Sequence, residues 1–194
     1  TDNPLVFSNN GKAEVISGGN FHGQILALTS DNMAVCIHEI ASISERRINQ
    51  VLDPQWSNQK AFLANNQGLE SGLMIVQYVA AAVIAELSLL SNPVTTTNIP
   101  VSMGKEDHVS MGATGAFRTF KSSKLLSRVI SSELICSTQA LDNIPEKASD
   151  SVSSIHHWIR KYVPELVEDR STSKDTEIIA KKILSREFTN IFEK

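Results

Sequence analysis

Cysteine is nearly absent: Cys36 and Cys136 are the only two in 194 residues. Both fall in apolar stretches without CxxC spacing, which argues against a disulfide framework and for two buried thiols in a reducing compartment. Charge of one sign is also lacking. Eighteen Lys and Arg stand against 21 Asp and Glu, a net charge of −3, and the signs are interspersed, so no electrostatic footprint for nucleic acid or an anionic membrane is expected. A clean membrane span is missing too. The one apolar run of suitable length, Gly72 to Leu90, carries Gln77 inside it and Glu86 near its end, both expensive in hydrocarbon. No signal-peptide pattern, repeat or low-complexity tract occurs. These absences predict a soluble, cytoplasmic chain without membrane or nucleic-acid partners.

What is present is helical pattern. Hydrophobic residues make up 41% of the chain, enough for a packed core. Residues 1 to 19 read as irregular structure or a short hairpin around Leu5-Val6-Phe7 and Val15-Ile16. From His22 to Leu52 apolar residues recur at steps of three and four, which predicts one long helix closed by Asp53-Pro54. A second helix, apolar nearly all round and therefore expected to have neighbours on all sides, is predicted over Leu73 to Leu90. A loop held at both ends by Pro93 and Pro100 follows, then a third helix over about Ser110 to Ala140. Gly112 and Gly115 in its first turns suggest tight packing against another backbone.

Past Asp142 to Pro145 the composition becomes more charged. Shorter helices are expected over Ser151 to Leu166 and Lys174 to Leu184, with a last turn over Ser185 to Phe192. Thr172-Ser173-Lys174-Asp175 reads as a helix-start cap. The expectation is an all-α fold, a long-helix bundle over residues 1–142 with peripheral helices over 143–194. Helices of 18 to 31 residues would be about 27 to 46 Å long, which favours a bundle completed by other subunits or by further chain.

The densest chemistry lies in Gly104-Lys105-Glu106-Asp107-His108-Val109-Ser110-Met111-Gly112, where two carboxylates, an imidazole and an ammonium occupy four consecutive positions. Such a cluster is costly to bury without purpose. From spacing alone, the stronger reading of Glu106 and Asp107 is a pair of helix-start charges favoured by the macrodipole. A metal site is not expected: no second His sits at ligand spacing, and His156-His157 lies far along the chain.

Together with Ser17-Gly18-Gly19-Asn20-Phe21-His22-Gly23 and Ile43-Ser44-Glu45-Arg46-Arg47-Ile48, this stretch resembles the C-terminal part of the histidine ammonia-lyase branch of the aromatic amino-acid lyases, over Thr1 to roughly Asp142. The resemblance implies elimination of ammonia from L-histidine to give urocanate, in a mostly helical homotetramer whose active sites each draw on three subunits. It implies that Glu106 acts on the substrate's imidazole or as an acid-base group, and that Phe21 forms the pocket wall. Phenylalanine lyases carry a Gln-Asp pattern at the Glu106 position, and a carboxylate suits an imidazole N–H better than a phenyl ring. Asp107 and His108 are expected to hold the loop, and Asn20 and His22 to orient their turn, with Gly18-Gly19 allowing close backbone approach. Ser44 to Arg47 and Gly68 to Ile75 match as packing and assembly elements. Lys105 departs from the family, which often has Gln there, and this bears on substrate preference.

The resemblance also implies a methylidene-imidazolone (MIO) ring, formed by cyclising an internal Ala-Ser-Gly. No such tripeptide occurs here: Ser17-Gly18 follows Ile16, Ser71-Gly72 follows Glu70, and Ala41-Ser42 precedes Ile43. The chain also starts at Thr1, within a match to the family's Thr-Asp-Asn-Pro segment. It is therefore read as a fragment whose electrophile, basic tyrosine and carboxylate-binding arginine lie in a missing N-terminal part of the same protein, and which is inactive alone. The alternatives are an inactive helical assembly module or paralogue, and a related phenylalanine or tyrosine lyase or aminomutase.

Overall fold

The computed structural model describes residues 2–191. Three long helices dominate: α1 (Gln24–Leu52), α3 (Met74–Leu90) and α4 (Gly112–Asp142), with the short α2 (Pro54–Ser57) after α1 and α5 (Asp150–Arg160) and α6 (Ser173–Leu184) towards the C-terminus. The fold is all-α in class, with one small departure. Strands β1 (Leu5–Asn9) and β2 (Lys12–Ile16) form an antiparallel hairpin with Leu5 opposite Ile16. Its turn is Asn10-Gly11, both at positive φ (53° and 77°), the backbone that a two-residue hairpin favours.

The chain divides into two compact units, Thr1–Val35 with Leu90–Phe120, and Cys36–Leu89 with Lys121–Lys194. In the first unit α4 meets α1 through glycine. A Cβ on Gly115 would lie 3.4 Å from Ser30 Cβ and 3.4 Å from Val94 Cγ2, and one on Gly112 would lie 3.6 Å from Ala27 Cβ. The expected close approach is thus present, and its partner is the small-residue face of α1. Polar clamps reinforce it. Thr119 Oγ1 donates to the Ser30 carbonyl at 2.8 Å, the Arg118 guanidinium donates to the Leu90 carbonyl, and Thr95 donates to Asp31 from both its N–H (2.9 Å) and its hydroxyl (2.8 Å). Burial alone would raise the Asp31 carboxyl. The hydrogen bonds from Thr95 and the Val94 backbone, with the charge of Arg118, outweigh it and hold that carboxyl below its ordinary value.

The second unit contains the hydrophobic core. Ile48, Leu52, Leu63, Leu73, Leu87, Val129, Ile159, Val163 and Ile179 are essentially solvent-free. Ser44 and Arg47 of the charged Ser44 to Arg47 run reach Glu133 of α4, the Ser44 hydroxyl at 2.6 Å. Gly72 sits at φ +54°, where a Cβ would stand 2.4 Å from the Phe62 carbonyl oxygen, and the N–H groups of Ser71 and Gly72 donate to the Asp169 carboxylate at 2.8 and 2.9 Å.

Four expectations change. Cys136 is buried, and burial together with the charge of Glu133 raises its thiol far above the ordinary value, but Cys36 is exposed on α1; both are free thiols. Helical period marked an apolar face there without saying that it would be covered. Helix α5 stops at Arg160 and not at Leu166, because Pro164 cannot continue it. The Arg160 guanidinium instead takes the Val163 carbonyl (3.0 Å), while the Leu166 N–H goes to Gln139 Oε1 (2.9 Å). Thr172 is the N-cap residue of α6, yet its side chain makes no cap hydrogen bond; Asp175 pairs with Arg170 at 2.6 Å. Helix α3 buries Val76, Ala80, Val83 and Leu87, while Ile75, Tyr78, Val79 and Leu89 stay exposed. The expected last turn is a 3-10 turn over Thr189–Ile191, and Phe192 lies outside the described residues.

Candidate functional site

Glu106 stands on a backbone that is held before its side chain is considered. Ser102, Met103 and Gly104 take left-handed φ values of 54°, 55° and 82° in succession. Two of the three are not glycine, and strained backbone of this kind persists where surrounding contacts over-determine it. Those contacts are visible. Val101 and Glu106 exchange backbone hydrogen bonds across the turn, Val101 N–H to the Glu106 carbonyl at 2.9 Å and the reverse at 3.3 Å. Asn98 then grips the next residues from both sides: its Nδ2 donates to the Asp107 carbonyl (3.1 Å) and its Oδ1 accepts the Val109 N–H (2.9 Å).

Helix α4 begins only at Gly112 and has no acidic residue in its first turn. Glu106 and Asp107 are therefore not helix-start charges, and the macrodipole reading that spacing favoured is set aside. His108 does hold the loop, its Nε2 lying 2.9 Å from Gln24 Oε1 at the start of α1. Asp107 contributes its carbonyl to the clamp.

Phe21 and His22 sit in a 3-10 turn, Asn20–His22, that ends on Gly23 in the left-handed region (φ +66°). Gly23 supplies the conformational freedom expected of Gly18 and Gly19: neither of those has a positive φ, and a Cβ on either would meet nothing closer than 4.0 Å. Phe21 is 39% exposed. Its ring lies 4.1 Å, centre to centre, from that of His22. His22 Nε2 in turn lies 3.4 Å from Glu106 Oε2, and the His22 ring meets the His108 ring edge-on at 5.8 Å.

The fold thus joins the Phe21 and Glu106 motifs, remote in sequence, through His22. The result is a half-exposed carboxylate beside the His22 imidazole, which itself packs against Phe21 and His108. Such a group can accept a hydrogen bond from an N–H, or take and return a proton, beside a flat apolar wall. Sequence reasoning assigned no chemistry to His22, Gln24 or Asn98. The available signals were weak: a His beside the candidate wall residue, and an Asn between two prolines in the loop before the cluster.

Comparisons with known proteins identify the relatives of this chain. The family model described as aromatic amino acid lyase matches residues 1–161. The chain is 44% identical to the histidine ammonia-lyase of Deinococcus radiodurans over 191 residues, which is 98% of this chain and 36% of that protein. It is 41% identical to the histidine ammonia-lyase of Myxococcus xanthus over 188 residues, covering 96% of this chain and 37% of that protein. Among solved structures, histidine ammonia-lyase from Trypanosoma cruzi superposes with a TM-score of 0.94 at 36% identity, over 100% of this chain and 38% of that one. Tyrosine aminomutase from Streptomyces globisporus gives 0.93 at 30% identity, over 99% of this chain and 36% of that one. The chain therefore spans little more than a third of the length of these relatives. By its sequence match, its helices and its coverage of solved relatives, it belongs to the aromatic amino acid lyase family.

Proposed function

We propose that the protein containing this segment is a histidine ammonia-lyase, which removes ammonia from L-histidine to give urocanate without a change of oxidation state. Glu106 carries the reading: its backbone is held in a strained, doubly clamped loop, and its carboxylate meets His22, whose ring packs on the exposed Phe21. In this role Glu106 accepts the imidazole N–H of the substrate or exchanges its proton, and Phe21 forms the wall against which the ring lies. The identities above 40% to histidine ammonia-lyases support the substrate.

The Ala-Ser-Gly tripeptide from which the MIO ring would form does not occur in this chain. When present, the ring supplies an electrophile that draws electron density from the substrate. The half-exposed Phe21 face and the Glu106 carboxylate fit the wall of such a pocket, and the segment binds and orients substrate there. We place the ring in an N-terminal part of the same protein, and expect this segment alone to be inactive. The exposed apolar faces of α1 and α3 support a homotetramer in which that part and neighbouring subunits cover them. Residues 1–142 then carry the pocket and 143–194 its periphery. Among the described residues no helix is long and apolar enough to cross a membrane, and the cytoplasm is the proposed location.

Glu106→Gln in the full-length protein tests the assignment. Turnover of histidine, followed by the ultraviolet absorbance of urocanate, should fall by about 10²-fold or more, the usual worth of a placed acid-base group. An unchanged rate would remove Glu106 from the mechanism. The aminomutase likeness keeps one competitor open: preferential turnover of tyrosine or phenylalanine would replace histidine as substrate.

A further inference from the structure

We propose that His22 is a positioning residue for Glu106, fixing one carboxylate oxygen so that the other is presented to the substrate's imidazole. The proposal rests on the reading of Glu106 given above and deepens it. His22 Nε2 approaches Oε2 to 3.4 Å, and this is the one polar contact of the Glu106 side chain among the described residues. Oε1 is left for a ligand. A separation of 3.4 Å is at the long end for a hydrogen bond, and catalytic hydrogen bonds are often long before substrate is bound.

His22 is suited to the task because its own ring is fixed. Phe21 lies along it at 4.1 Å and His108 abuts it at 5.8 Å. His108 is in turn anchored at 2.9 Å to Gln24, the first residue of α1. The sequence Gln24, His108, His22, Glu106 is thus a relay of orientation that runs from a helix to the carboxylate. The His22 side chain is less exposed than that of Glu106, 21% against 39%, as befits a supporting group behind a substrate-facing one. For His22 to donate, Nε2 must carry the proton. An N–H donor at that point is therefore the essential property, and the aromatic ring is the means of holding it.

Two substitutions separate these properties in the full-length protein. His22→Phe keeps a ring against Phe21 and removes the donor; His22→Gln removes the ring and keeps an N–H of similar reach. His22→Phe should lower kcat/KM for histidine about tenfold, and His22→Gln should stay within about threefold of the unsubstituted protein. In a Glu106→Gln background His22→Phe should add less than about a twofold loss, since residues that act as a unit are not additive. If His22→Phe does not fold, His22→Leu carries the same comparison. Full additivity, equal impairment by Phe and Gln, or no loss from either overturns the positioning role alone, provided that Glu106→Gln is itself impaired. An unimpaired Glu106→Gln overturns the reading of Glu106 and this proposal with it.

Discussion

The two compact units solve the problem of stability differently. In the unit formed by Cys36–Leu89 and Lys121–Lys194, large side chains such as Ile48, Leu52, Leu87, Ile159 and Ile179 are almost wholly removed from solvent. In the unit formed by Thr1–Val35 and Leu90–Phe120, the buried side chains are Ala27, Ala34, Asp31 and Ser110, while Val6, Phe7, Leu26, Met33 and Phe117 are exposed. One unit is held by a core. The other is held by glycine contacts, carboxylate and amide clamps, and a strained turn, and it carries every candidate site residue. A site built in this way can keep its side chains half-exposed and oriented, because its rigidity does not depend on burying them.

The sharpest way to break this contrast is to cut into each unit at its own kind of support. Ile48→Ala, at a fully buried position of the core unit, should cost about 3 kcal/mol in urea unfolding, from lost transfer energy plus the cavity left behind. A loss below about 1 kcal/mol would mean that this core relaxes freely and is not the rigid half.

Asp31→Asn probes the clamped unit and should cost less, roughly 1 kcal/mol near neutral pH, because an amide oxygen can replace only part of what a carboxylate accepts from Thr95 and Val94. Its signature is the pH dependence. The Asp31 carboxyl titrates below its ordinary value of 3.8 in the folded protein. Its contribution is therefore complete above the unfolded value and is lost as pH falls through the lower folded one. The stability difference between Asp31→Asn and the unsubstituted protein should accordingly shrink as acid is added through that window. A difference that is flat with pH would mean that the clamp works through shape and not charge.

The same contrast explains what could be read in the sequence. The three long helices were legible because apolar steps of three and four, or an apolar run, closed by Pro54, Pro93 and Pro145, survive any tertiary arrangement. Periodicity identified which faces are apolar but could not say which of them find a partner, hence the exposed Cys36 and the half-covered α3. The end of α5 was missed because it is set jointly by Pro164 and by the reach of Arg160 and Gln139, side chains distant in sequence. The capping of α6 was misjudged because Asp175 found Arg170 first. At the site, Phe21 and Glu106 could be singled out by motif, but their connection could not. It depends on a 3-10 turn and a left-handed triplet that bring His22 to Glu106, and neither has a periodic signal.

The smallest expected effect is the most informative about what lies beyond these contacts. Phe117 is 69% exposed on α4, so Phe117→Ser should change stability by no more than about 0.5 kcal/mol if that face meets only water. The same substitution in the full-length protein bears directly on the proposed assembly. A loss of about 2 kcal/mol or more there, with none in the isolated segment, would mean that the ring is buried by chain or subunits outside the segment, as fully burying a Phe is worth about that much. The site-bearing unit would then have a core after all, with the covering half supplied from elsewhere. Loss of activity on dilution of the Phe117→Ser protein, faster than for the unsubstituted one, would place that covering surface in a neighbouring subunit and not in the same chain.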